Sequence, residues 1–150
     1  MNKKILTMSI VFFVVVSMAS VYAEGLISHD FGKFSMDIPN APNGEIAEEQ
    51  GGITVNHTIY AIPNPDGTNF AYLDYLNTTH TNGNNNTTDF ALSKIQENYT
   101  VTVEKGIPTW SYGDYGTMGY LVSSDDDTQV LIIQGSDVYL KDAVDSVEFK

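Results

Sequence analysis

Residues 118–134 read MGYLVSSDDDTQVLIIQ, in which two apolar runs are separated by a short acidic segment. The first run, 118–122, mixes aromatic, β-branched and long aliphatic residues, and the second, 130–133, is apolar without interruption. Runs of this length, bounded by Ser and Asp, are typical of paired strands rather than of a helix. Residues 123–128 are too many for a two-residue turn, so we expect a loop of roughly four to six residues. We take this hairpin as the central ladder of an antiparallel sheet.

Several other segments alternate apolar and polar residues in the manner of half-buried strands. Phe34, Met36 and Ile38 share one face of such a segment, which ends at Pro39. Further strands are predicted at residues 53–62, 69–76, 100–104 and 146–149. Residues 24–30 are expected to form a lead-in, and residues 40–52 and 77–88 are expected to form loops, the second of them exposed and polar.

Two segments carry the apolar spacing of helices. In residues 89–99, Ala91 or Leu92, Ile95 and Tyr99 recur every three or four positions, which places them on one face of a helix. Residues 137–145 predict a second helix with Val138 and Val144 turned inward. Strands, a helix, more strands and a second helix indicate an α+β domain in which both helices pack on one face of an antiparallel sheet.

The N-terminus has the layout of a secretory signal peptide. Two lysines precede an uncharged apolar run, and Ala23 ends a stretch of small residues that suits cleavage. We therefore expect residues 1–23 to be a signal peptide and residues 24–150 to be one secreted or envelope-associated domain. Counted over residues 5–23, the apolar run is also long enough to remain as a membrane anchor, so this alternative stays open.

Composition excludes several classes of function. The formal net charge is −12 and the chain contains no cysteine. Such a charge repels phosphate backbones, which excludes nucleic acid as a partner. The absence of cysteine excludes disulfides, thiol catalysis and lipidation at an N-terminal cysteine.

Three segments resemble the PsbP-like fold of the lumenal PsbP subunits and the DcrB-type envelope proteins. They are FSMDIP at 34–39, the predicted helix at 89–99, and LKDAVDSVEF at 140–149. The chain also resembles small secreted proteins of unknown function in methanogenic archaea. The resemblance implies a PsbP-like antiparallel sheet with two helices packed on it. It also implies an accessory or binding role without shared catalytic residues.

The chain is rich in acceptor motifs for N-glycosylation, which an exported protein can use on its surface. These Asn-x-Ser/Thr motifs begin at Asn56, Asn77, Asn85, Asn86 and Asn98. Asn77 and the overlapping Asn85 and Asn86 lie on the predicted mobile loop, which makes them the best-placed acceptors. The alternative is that a chain rich in Asn and Thr forms such motifs by chance.

The segment Trp110-Ser111-Tyr112-Gly113-Asp114-Tyr115 is the strongest candidate for ligand binding. Aromatic side chains on a glycine-containing loop stack on sugar rings or anchor a protein partner, and Asp114 adds a polar contact. The alternative is that Trp110 and one tyrosine close the core under the loop.

Asp125, Asp126 and Asp127 form an acidic tip that suggests a Ca²⁺ site, because calcium prefers several oxygen ligands. Their spacing does not match an EF-hand loop. The alternative is a solvated turn that protects the hairpin against edge-to-edge aggregation.

The histidines give only a weak catalytic signal. His57 falls on the apolar face of its strand, and Asp74 lies on the strand expected beside it, so a His–Asp pair is conceivable; His29 and His80 are expected in exposed loops. The chain lacks a Gly-x-Ser-x-Gly motif, a phosphate-binding glycine loop and His-x-x-x-His metal spacing. We therefore expect a non-catalytic module, without a cofactor, that binds a cell-envelope protein or glycan. Divalent-cation binding and a small extracytoplasmic hydrolase are the alternatives.

Overall fold

A computed structural model describes residues 25–54, 57–113 and 116–150 of the chain. The predicted signal peptide at 1–23, and the anchor at 5–23, lie outside these residues. Within the described part of the chain, no helix has the length and apolar character needed to cross a membrane.

The described chain forms ten strands, a 3₁₀ turn and two α-helices. The strands are β1 (Leu26–Asp30), β2 (Phe34–Pro39), β3 (Ala47–Gly51), β4 (His57–Pro63), β5 (Asn69–Asn77), β6 (Thr102–Glu104), β7 (Ile107–Ser111), β8 (Met118–Ser123), β9 (Gln129–Gly135) and β10 (Glu148–Phe149). The helices are α1 (Thr87–Gln96) and α2 (Leu140–Asp145), and the 3₁₀ turn is Thr78–His80.

Seven strands form one antiparallel sheet in the order β3-β4-β5-β9-β8-β7-β6. The predicted hairpin is confirmed: β8 pairs with β9, with Tyr120 opposite Ile133, and a five-residue loop joins them. This hairpin contributes two of the inner strands of the large sheet, as the apolar runs predict.

The uninterrupted apolar run of β9 reflects coverage of the sheet on both faces. Leu131 and Ile133 lie in one core cluster, while Val130 and Ile132 lie in another. All four side chains are fully buried. Successive residues of a strand point to opposite faces, so a strand buried on both sides needs no polar alternation.

One face of the large sheet, called here the small-sheet face, packs against a second sheet in the order β1-β2-β10 and against α2. The contact includes Phe34 and Met36 of β2, Leu73 of β5, and Leu140 and Val144 of α2. Val144 is inward as predicted, but Val138 precedes the helix and is 86% exposed, so its predicted inward position is wrong.

The opposite face, called here the α1 face, packs against α1 through Ala91 and Ile95. The helix begins where Asn86 accepts a hydrogen bond from the Asp89 backbone N–H, as expected for a helix cap. The two helices therefore lie on opposite faces of the sheet, and the prediction that they share one face is wrong.

Two strands, β1 and β3, occupy segments without a predicted strand, and β7 begins at Ile107, ahead of the aromatic segment at 110–115. β1 lies in the predicted lead-in and pairs with β2, and β3 lies in the predicted loop and pairs with β4. Every residue of β3 is exposed, so backbone pairing rather than apolar burial holds it in place. The coarse prediction of an α+β protein built on antiparallel sheet is confirmed.

Candidate functional site

The acidic tip uses its carboxylates for hydrogen bonds within the protein. Asp126 Oδ1 accepts from the Ser124 and Thr128 hydroxyls, each at 2.7 Å. Asp127 accepts from the Thr88 hydroxyl through Oδ1 at 2.7 Å, and from the Thr87 backbone N–H through its carbonyl. Asp127 has a left-handed backbone, with φ of 57°. The tip thus fastens the start of α1 to the hairpin.

The hydrogen bonds to Thr128 and Ser124 also lower the pKa of Asp126. Among the described residues, no group of three or more histidine, aspartate or glutamate side chains is arranged to hold a metal ion. Asp126 and Asp127 therefore stabilise the hairpin tip and its contact with α1.

The aromatic segment is divided between core and surface. Trp110 is 2% exposed, and its indole lies across Gly119, the residue paired with it on β8. Tyr112 is only half-buried, and its ring meets Tyr99 edge-on with centroids 4.7 Å apart. Asp114 and Tyr115 lie outside the described residues. Of the segment's described aromatics, only Tyr112 is therefore available to a ligand from solvent.

Tyr112 lies close to two other residues of the α1 face, Trp110 and Gln134. Burial raises the pKa of its phenol, although the side chains of Trp110 and Gln134 lie close enough to the hydroxyl to oppose the rise. Gln134 of β9 lies opposite Gly119 of β8 on one side and opposite Tyr72 of β5 on the other. Gly119 in turn lies opposite Trp110 of β7, so one row of residues crosses the sheet from β5 to β7. We call Tyr72, Tyr99, Tyr112 and Gln134 the Tyr112 surface.

The position of the Tyr112 surface follows from the length of α1. The helix starts at the hairpin tip and covers Val130 and Ile132, whereas Gln134 is one row further along and is half-buried. Tyr99, which the sequence pattern assigned to the helix stripe, instead follows the helix and is 37% exposed. The row formed by Tyr72 and Gln134 was not predicted. Strand alternation gives the face of each side chain, but only the strand order brings the two together.

The predicted proximity of His57 and Asp74 is present at the other end of the α1 face. His57 Nε2 lies 2.9 Å from Asp74 Oδ1, and both side chains are buried. The same nitrogen lies 2.5 Å from the Tyr75 carbonyl. A single N–H cannot serve both acceptors well, and Asp74 Oδ1 has no hydrogen bond. The Thr54 hydroxyl lies 2.9 Å from His57 Nδ1, a neighbour that the sequence did not suggest.

His80 is not an exposed loop residue, so that prediction is wrong. It ends the 3₁₀ turn, and its ring stacks on His57 with centroids 4.8 Å apart. Its Nδ1 accepts a hydrogen bond from the Asn77 backbone N–H. His29 is also not in a loop: it is half-buried on β1 beside Phe31.

The environments of the two stacked histidines shift their pKa values in opposite directions. Burial disfavours the charged form of His57, but the Asp74 carboxylate and the Tyr75 carbonyl outweigh burial, so its pKa is raised above 6.5. Burial and the nearby charge of His57 lower the pKa of His80 below 6.5, despite the opposing effect of Asp74. The cluster therefore favours a proton on His57 and disfavours one on His80.

A separate cleft of about 140 Å³ lies where β1 begins and β4 turns into β5. Leu26, Asn64, Phe70 and Tyr139 contribute to its walls. It shares no residue with the Tyr112 surface.

The glycosylation motifs in the described part of the chain differ in exposure. Asn56 lies outside the described residues. Asn77 and Asn86 are half-buried, and each uses its side-chain oxygen to cap a helical turn. Asn85 is exposed, but Thr87 of its motif is fully buried. Asn98 and Thr100 are both exposed, so the motif at Asn98 is the most accessible of the four that the structure describes.

Comparison with known proteins adds no further assignment: no family model, curated protein or solved structure matches this chain.

Proposed function

We propose that the chain is a non-catalytic binding or accessory module of the cell envelope, and that it binds its partner through the Tyr112 surface. The observation that carries this proposal is the edge-to-face pair of Tyr99 and Tyr112 beyond the end of α1. Tyrosine offers a large rigid contact area with a polar end, which makes it common at binding sites.

Location outside the cytoplasm rests on residues 1–23, read as a signal peptide, or on residues 5–23 if they persist as an anchor. The partner is a cell-envelope protein or glycan rather than nucleic acid, because the net charge of −12 opposes phosphate. The PsbP-like grouping is part of this proposal, since members of that group act as accessory subunits.

A comparison of matched tyrosine variants tests the proposal. The full chain, tagged at the C-terminus, is used to capture envelope glycans and proteins. Tyr99→Ala is compared with Tyr139→Ala, since the two side chains have similar exposure, 37% and 42%, at different places on the fold. We expect Tyr99→Ala and Tyr112→Ala to lose capture by roughly tenfold or more, as for interface hot spots. Tyr139→Ala should retain it.

Circular dichroism shows whether each variant keeps its fold. Equal capture by folded Tyr99→Ala, Tyr112→Ala and Tyr139→Ala would reject the Tyr112 surface as the binding site.

A second candidate function is supported by the contacts of His57. Thr54, His57 and Asp74 are arranged in the order of a nucleophile, a base and an orienting carboxylate, with 2.9 Å at each step. In a hydrolase of this kind, the Thr54 hydroxyl would attack an ester carbonyl and pass its proton to Nδ1 of His57. His57 would return that proton to the alcohol as the ester C–O bond breaks, and water would then hydrolyse the acyl–Thr54 ester. The protein would then be a small extracytoplasmic esterase.

Burial makes the hydrolase the weaker candidate. His57 is 2% exposed, its Nε2 also faces the Tyr75 carbonyl, and His80 stacks on its ring. Hydrolysis of p-nitrophenyl acetate separates the two functions. An esterase would lose turnover in both Thr54→Val and His57→Gln, whereas a binding module shows no turnover above that of free histidine in any form.

A further inference from the structure

Trp110 carries a buried donor that makes no hydrogen bond of standard geometry, although the Tyr112 hydroxyl lies close to it. The donor is Nε1, and the side chain is 2% exposed. Buried polar groups in proteins are nearly always hydrogen-bonded, and the exceptions call for an explanation such as a ligand. Because Gly119 has no side chain, the indole lies flat across β8. The donor therefore belongs to the row that runs from Trp110 through Gly119 and Gln134 to Tyr72.

The neighbours of this donor are polar but uncharged. The Tyr112 hydroxyl lies beside it, the Gln134 side chain lies close to that hydroxyl, and Tyr99 meets the Tyr112 ring from the surface. The negative charge of Asp74 reaches Tyr112 and raises its pKa further. An anionic acceptor would be repelled by the acidic chain as a whole, whose formal net charge is −12. This donor therefore favours a neutral oxygen as its acceptor.

The strands around the donor offer little free edge. β5, β9 and β8 each have a partner on both sides in the large sheet, and β6 pairs with β7 from Ile107 to Thr109, which leaves only Trp110 and Ser111 of β7 paired on one side. This two-residue edge is too short for a peptide to add a strand, which is a common mode of peptide recognition through backbone hydrogen bonds. Recognition at this surface depends on aromatic rings and on side-chain donors and acceptors instead.

We propose that the Tyr112 surface binds a neutral saccharide, an inference that rests on the proposed binding function and specifies its ligand. A sugar ring packs its C–H face on Tyr112 and Tyr99, and one neutral oxygen of the sugar accepts from Trp110 Nε1. Gln134 and the Tyr112 hydroxyl bind neighbouring sugar hydroxyls. Tyr112 turns outward to admit the sugar, and Gly113, with φ of 67°, lies directly after it.

Trp110 provides a direct readout, because it is the only tryptophan in the chain. Its emission is followed in the full-length protein during titration with neutral disaccharides: maltose, cellobiose, lactose and diacetylchitobiose. Each is added up to about 10 mM, well above the dissociation constant of a weak complex. We expect a saturable shift in emission with at least one of them. Glycerol and a disaccharide that contains glucuronic acid should give no saturable shift.

Variants then assign the signal to this surface. Tyr112→Phe keeps the ring and loses one hydroxyl, so we expect roughly three- to tenfold weaker binding, the usual effect of one neutral hydrogen bond. Tyr99→Ala should weaken binding at least as much, while Tyr139→Ala should leave it unchanged.

The negative outcomes separate the two proposals. If no disaccharide shifts the emission, but Tyr99→Ala still abolishes capture of an envelope protein, the saccharide is wrong and the binding function stands. An equal response to glycerol would show that the indole senses only solvent composition, which also rejects the saccharide. If capture survives the loss of both Tyr99 and Tyr112, both proposals fail.

Discussion

The two faces of the large sheet differ in what they bury. The small-sheet face is dominated by apolar side chains, with Leu73, Leu131 and Ile133 against the second sheet and α2. The α1 face buries the His57–Asp74 pair. It also carries Asp74 Oδ1 and Trp110 Nε1, the buried side-chain atoms of the described chain that lack a hydrogen-bond partner.

Buried polar atoms without partners reduce the stability of a fold, so their confinement to one face is informative. The small-sheet face supplies stability, whereas the α1 face accepts an energetic cost beside a surface of half-exposed tyrosines. This difference is the physical reason to look for function on the α1 face. It can be tested by substitutions that act on one face at a time.

The largest effect is expected from Leu131→Ala on the small-sheet face. Leu131 is fully buried, so its truncation leaves a cavity between the sheets and should cost roughly 2–5 kcal/mol of unfolding free energy. Urea denaturation measures this loss. Ligand capture by the folded fraction should be unchanged, because Leu131 points away from the Tyr112 surface.

Val103→Ala is the control, since Val103 is 68% exposed on the edge strand β6 and should change stability by less than about 0.5 kcal/mol. A loss below about 1 kcal/mol for Leu131→Ala would mean that the second sheet does not pack firmly on the large one.

A smaller effect is expected from Gly119→Ala on the α1 face. A Cβ at this position would overlap the Trp110 indole, so the ring must move, at a cost of roughly 1–3 kcal/mol. The emission of Trp110 should shift as its surroundings become wetter. Thermal unfolding and fluorescence measure both consequences in one sample.

Replacing the indole provides the control for Gly119→Ala. In a Trp110→Leu background the overlap disappears, so the same glycine substitution should cost less, which a double-mutant cycle detects as a coupling energy. Equal costs in the two backgrounds would show that the indole does not rest on Gly119.

The sequence predicts the strands whose side chains are buried. The run at 130–133 identifies β9, and the alternation of Phe34, Met36 and Ile38 identifies β2. It does not predict β3, because Ala47–Gly51 has the composition AEEQG and buries nothing. An edge strand of this kind is specified by the strand beside it, and its own sequence carries little signal.

The candidate site is predictable only in part for a related reason. Trp110 and Tyr112 belong to the segment 110–115 that the sequence predicts as a binding loop, but Gln134 and Tyr72 reach them through the pairing of β7, β8, β9 and β5. Tyr99 arrives there because α1 ends at Gln96. Local patterns assign a side chain to a face, whereas non-local strand order decides which faces meet.

The position of His80 has a local signal in the sequence. Asn77 and His80 form a capping box around the 3₁₀ turn, in which the Asn77 side chain accepts from Thr79 N–H and His80 accepts from Asn77 N–H. An Asn followed three residues later by a hydrogen-bonding side chain is a recognisable start of a helical turn. That turn places the His80 ring against His57 rather than in solvent.

The smallest expected effect is a dependence of stability on pH that arises only on the α1 face. The pKa of His57 is raised in the fold, so its contribution is fully present below pH 6.5 and is lost as pH rises through the folded pKa. The pKa of His80 is lowered, so its contribution is present above pH 6.5 and is lost as pH falls through its folded pKa. Together the two residues should give a maximum of stability near pH 6.5.

The curve of stability against pH has one limb below pH 6.5 and one above it. Single replacements separate the two limbs, because each removes one titrating imidazole from the His57–His80 stack. Unfolding free energy is measured by urea denaturation between about pH 5 and 8, where histidine titrates. Relative to the wild type, His57→Gln should lose the fall in stability above pH 6.5, and His80→Gln should lose the rise that approaches it from below. Leu131→Ala should lower the whole curve without changing its shape, since it touches neither ring. If both histidine variants instead altered the same limb, the opposite pKa shifts would be wrong, and with them the view that this face holds one histidine charged and its neighbour neutral.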